Sequence, residues 1–71
     1  STEEIDQFKQ ILEQTFERIK DCEWCISFNW ISVEVEQQLK QRIERLKKVA
    51  QWYEDRYYGQ LLSICTNYKK D

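Results

Sequence analysis

Apolar residues recur through the first third of the chain at Ile5, Phe8, Leu12, Phe16 and Ile19, three or four positions apart. Ile5, Leu12 and Ile19 are seven apart, and Ile11 widens the stripe. That spacing puts one apolar face on a 3.6-residue period and predicts an amphipathic helix from about residue 2 to 21. Ser1 and Glu4 have the capping-box spacing, and the acids of the first turn suit the positive end of the helix dipole. No Gly or Pro marks its end, which is placed near 21–23. A second stripe runs through Val35, Leu39, Ile43, Leu46, Val49, Ala50, Tyr53 and Tyr57, with good helix formers between. It predicts a helix over about 33–58, with Asn29 or Ser32 as N-cap.

The apolar phase continues past Gly59 through Leu61, Ile64, Cys65 and Tyr68. Either the helix runs on to about 68, or Gly59 ends it and a short third helix packs back. A continuous helix of ~36 residues would be ~54 Å long and would outreach the first, at ~30 Å. Its excess apolar face would then call for a second copy of the chain.

Between the two regular segments lies the stretch 24–35, from Trp24 to Val35, apolar on more sides than a small domain can hide. As a helix, Trp24, Phe28 and Ile31 share a stripe spaced like groove-binding anchors. Ile26, Trp30 and Val33 then form a second apolar face. As strands, 24–28 and 31–35 would pair around Asn29-Trp30, but Trp suits the second turn position poorly. The regular flanks favour helix.

The fold class expected is therefore all-α: one domain over 1–71, a small helical bundle built as a helical hairpin or three helices. The alternative is α+β with a short β-ribbon at 24–35. Proline is absent and glycine occurs once, which disfavours the many turns of a sandwich or barrel.

Charge refines the picture. Residues 1–23 are mostly acidic and 40–48 mostly basic, so an antiparallel hairpin brings opposite signs together, with little gained per exposed pair, about 0–1 kcal/mol. The net charge of −2 is unlike that of a generic polyanion binder. Even so, Lys40, Arg42, Arg45, Lys47 and Lys48, followed by Trp52, Tyr53, Tyr57 and Tyr58, could contact nucleic acid through phosphates and stacked bases. No apolar run approaches the ~20 residues of a membrane span. No secretory-leader pattern opens the chain, and the lack of an initiator Met fits a processed or excised product.

Candidate chemistry is sparse. Histidine, the commonest general base, is absent, and one glycine cannot build a phosphate loop. The chain is not expected to be an enzyme. Cys22-x-x-Cys25 sits at a helix C-terminus beside Asp21 and Glu23, which disfavours a thiolate. Three cysteines without histidine leave a zinc site incomplete. No cofactor or metal is expected. Free thiols in a reducing, intracellular and cytoplasmic setting are favoured, with a Cys22–Cys65 or Cys25–Cys65 bridge as the alternative.

The function these features point to is a non-enzymatic protein-interaction or assembly module. Its partner, another protein or a second copy of the chain, would meet Trp24, Phe28, Trp30, Ile31 and Val35. A nucleic-acid-associated regulator using 40–48 is one alternative. A designed helical scaffold presenting a recognition segment is another, although exposed free cysteine is normally avoided in such designs.

Overall fold

The computed structural model describes the backbone of residues 2–69 and the side chains of 2–66. Two helices, α1 (Thr2–Ile26) and α2 (Val33–Lys69), form an antiparallel hairpin. The all-α hairpin expected from the two stripes is the fold. No strand occurs among the described residues, so the β-ribbon at 24–35 does not form.

The seam is the seven-residue repeat read from the sequence. Ile5, Leu12, Ile19 and Cys22 of α1 and Ile43 and Ala50 of α2 are buried. Ile19, Cys22 and Ile43 form its centre, with Ile26, Leu39 and Leu46 packed against them. Farther from the turn, the rings of Phe8 and Tyr53 meet with centroids 5.9 Å apart. Thr15 is the one buried polar side chain among those described, and its hydroxyl donates to the Ile11 carbonyl at 2.7 Å. That bond removes the penalty of an unpaired buried hydroxyl, about 1–3 kcal/mol.

Three boundaries differ from expectation. First, α1 runs on to Ile26 because nothing in 21–25 breaks it. It ends when the Ser27 amide shares the carbonyls of Glu23 and Trp24, 3.1 Å from each, and the Ser27 hydroxyl donates to the Trp24 carbonyl. Second, the segment 24–35 is neither one helix nor two strands. It is a corner: the last turn of α1, an irregular link over 27–32 and the first turn of α2. No described residue has positive φ, so the corner needs no glycine. Ser32 is the N-cap, its hydroxyl accepting the Val35 amide at 3.2 Å; such a cap is worth about 0.5–2 kcal/mol. Asn29 lies inside the link and caps nothing. Ser1, the proposed cap of α1, lies outside the described residues.

Third, α2 passes the expected end near 58: Gly59 does not break it, the continuous alternative holds, and no third helix forms among the described residues. Tyr53 stands opposite Phe8, so Thr2, six residues back, is level with about residue 59. Beyond Gly59, α2 continues without α1 beside it, and Leu62 and Ile64 are exposed at 67% and 44%. The side chain of Tyr68, the last member of that stripe, lies outside the described residues. The helix lengths of 25 and 37 residues account for an overhang of roughly 18 Å in a rod of 59 × 15 × 14 Å. A Cβ added at Gly59 would meet nothing within 4 Å. Gly59→Ala should therefore stabilise the hairpin by about 0.5–1 kcal/mol, the usual helix-interior difference. Thermal unfolding followed by circular dichroism checks this, and a lowered Tm would contradict it.

The hairpin encloses little. None of the described side chains is fully buried. Its accessible surface is 6055 Å², against about 4,800 Å² for a compact chain of 8.8 kDa.

Candidate interaction surface

The corner gathers the aromatic residues of 24–35. Once α1 ends, Phe28 folds back on Trp24, edge to face with centroids 4.6 Å apart, and Trp30 stacks on Phe28 at 5.4 Å. Ile31 and Val35 join them, with Cys25 and Leu39, around an apolar hollow of about 410 Å³. All five residues expected to meet a partner thus line one concavity. Their burial is incomplete: Trp24, Trp30 and Val35 are exposed at 65%, 82% and 43%. The helical stripe expected of Trp24, Phe28 and Ile31 does not exist, because only Trp24 is helical. What holds the three together is the bend.

The basic residues of 40–48 are not brought to one face. Lys40 pairs with Glu36 at 3.3 Å and Lys47 with Glu44 at 3.7 Å, both within α2 and on the flank away from Arg42. Lys48 lies beside Val49, Trp52 and Tyr53. Arg42 and Arg45 instead enter a cleft with Arg18 and Asp21 of α1. The cleft is therefore lined by three arginines and a single acid. That composition gives it an excess of positive charge, exposed to water.

Arg18 and Trp52 complete the surface, and the sequence alone does not single them out together. Val35, Arg42, Val49 and Arg56 are seven residues apart and so share one flank of α2. Trp52 joins that flank through Arg56, whose guanidinium lies 3.2 Å from the Trp52 ring centroid and also donates to the Trp52 carbonyl at 3.2 Å. Ile11, Arg18 and Cys25 have the same seven-residue spacing on α1. All four arginines and all three tryptophans of the chain thus belong to one side of the hairpin. The other side carries Lys9, Lys20, Lys40 and Lys47 interleaved with acids. Its exposed Phe16 stands apart from the corner.

The cysteines divide between core and surface. Cys22 is buried against Ile43, Cys25 faces the hollow, and Cys65 is exposed; all three are free. Cys65 lies 22 residues beyond Ile43, about 33 Å along a helix. A bridge from it to Cys22 or Cys25 within one chain, the alternative weighed from the sequence, is thereby excluded. Among the described residues, no three Cys, His, Asp or Glu side chains converge as a metal site would require. No described helix is long and apolar enough to cross a membrane. No family model, curated protein or solved structure matches this chain.

Proposed function

We propose that this chain is a non-catalytic protein-interaction or assembly module that receives its partner at the aromatic corner between α1 and α2. The observation that carries the reading is the open hollow of Trp24, Phe28 and Trp30, with Trp30 exposed at 82%. Clustered rings held in water forgo about 25 cal/mol per Å² of burial, and contiguous apolar patches rimmed by polar groups mark contact sites. Tryptophan and arginine, the residues segregated to this side, dominate binding energy at protein interfaces.

Area supports the same reading. The surface in excess of a compact chain, about 1,300 Å², exceeds the roughly 800 Å² that each partner contributes to an interface of standard size. Self-association belongs to this reading too, with the uncovered stripe of α2 at Leu61 and Ile64 as its second contact. Unpaired thiols, one of them exposed at Cys65, suit a reducing, cytoplasmic setting.

Trp30→Ala tests the proposal because the side chain contributes little to the fold. Helix content should be retained and stability should change by less than about 0.5 kcal/mol. Association should weaken at least tenfold, a loss of about 1.4 kcal/mol or more. It is read as native mass by light scattering across concentration, with and without reductant, and as retention of a protein partner. A strictly monomeric chain with no partner that depends on Trp24, Phe28 or Trp30 would remove this function.

A further inference from the structure

We infer that the arginine- and tryptophan-bearing side of the hairpin holds an acidic amphipathic helix of a partner protein, which lies between α1 and α2 as a third helix. This rests on the interaction reading above and names the partner's chemistry.

The side is banded along its length. At the corner, Cys25 and Val35 line the apolar hollow. About 10 Å farther, one heptad along each helix, Arg18 and Arg42 enter the charged cleft with Arg45 and Asp21. Another heptad on come Ile11 and Val49, with Val49 beside Trp52 in a second shallow hollow. An occupant that matches these bands is apolar, then acidic, then apolar at seven-residue intervals on one face. That is the pattern of an amphipathic helix with carboxylates between two apolar anchors.

Charge selects this occupant over a second copy using the same side. Turning one hairpin over to face another, so that each corner meets the other's Val49 and Trp52, places arginine cluster on arginine cluster. Like charges facing each other across an interface cost several kcal/mol. An acidic helix supplies the carboxylates that Asp21 alone does not. Guanidinium groups bind carboxylates in a planar, two-pronged fashion and shed water more readily than ammonium groups. That chemistry suits the arginines gathered on this side, to which Lys48, beside Val49 and Trp52, adds one ammonium group. A nucleic-acid strand is disfavoured by the net charge of −2, which lacks the basic excess of a polyanion binder.

The test uses the intact chain and a synthetic 21-residue helical peptide. The peptide carries leucine on one face in its first and third heptads and glutamate on that face in the second. A matched peptide replaces the glutamates with lysine. Binding is followed by tryptophan fluorescence at low salt, with helix content checked by circular dichroism. The glutamate peptide should bind at least tenfold more tightly than the lysine peptide. In the chain bearing Arg42→Glu and Arg45→Glu the order should reverse, and Arg18→Glu on the other helix should move it in the same direction.

Equal binding of the two peptides overturns the inference. Tighter binding of an oligothymidylate than of the glutamate peptide overturns it in favour of nucleic acid. Self-association of the chain that Arg42→Glu strengthens overturns it in favour of a second copy on this side. Association lost with Trp30→Ala but indifferent to all three arginines overturns this inference and leaves the interaction function standing. Indifference to Trp30 and the arginines alike removes both.

Discussion

Ile43→Ala is expected to abolish the folded hairpin of the isolated chain at ambient temperature. Ile43 is exposed by only 7% and sits between Ile19 and Cys22 at the centre of the seam. Removing a buried branched side chain costs about 2–5 kcal/mol in lost transfer energy and residual cavity. A single core in a chain below ~80 residues rarely supplies more than 3–5 kcal/mol in all. The two quantities are comparable, so the variant should lose most of its cooperative urea transition. A transition displaced by less than about 1 kcal/mol would show that the seam is not what holds α1 to α2. Leu62→Ala is the natural control: Leu62 is exposed at 67% on the part of α2 that α1 does not cover, and its loss should leave the transition in place.

Ala50→Leu should destabilise by the opposite mechanism. Ala50, at 4% exposure, is the least exposed of the core residues. From the Phe8–Tyr53 pairing it stands about level with Ile11 and the buried Leu12 of α1. A small residue there lets the helix backbones approach, and the rod is only 15 × 14 Å across. Added methylenes must push the helices apart or twist into strained rotamers, at about 1–3 kcal/mol. Chemical denaturation measures the cost, and the Phe8–Tyr53 ring contact reports the separation through ring-proton shifts. An unchanged midpoint with unchanged shifts would mean that the seam has room at this level.

Both effects were accessible from periodicity, since Leu39, Ile43, Leu46 and Ala50 are spaced as a seam requires. The corner was legible only at Ser32, read as an N-cap candidate: it has no glycine, no proline and no positive φ to mark the rest of the bend. The bend is instead held by Ser27 on the Trp24 carbonyl, by Ser32 on the Val35 amide and by Phe28 folding back on Trp24. Aromatic and β-branched residues that score as strand or helix in a linear pattern served here as a lid on a turn. At Gly59 a break and a continuous helix were both open readings. The helix continues because the residues beyond keep the helical period and no left-handed residue is required there. The aromatic residues of the corner were visible as a group because they are too many to bury. Arg18 was invisible because its neighbours depend on the register between α1 and α2, which no local window carries.

The absence of any fully enclosed side chain has a calorimetric meaning. The unfolded chain would expose roughly 12,800 Å², of which a compact fold of this mass would hide about 8,000 Å². With 6055 Å² still exposed, this hairpin hides about 6,700 Å², roughly one-sixth less. The heat-capacity change of unfolding follows apolar area, so the curve of stability against temperature is correspondingly shallow. Under the interaction proposed above, a partner that buried a comparable area would return that increment as a negative heat-capacity change of binding, dividing between folding and docking a hydration change that a globular domain completes alone.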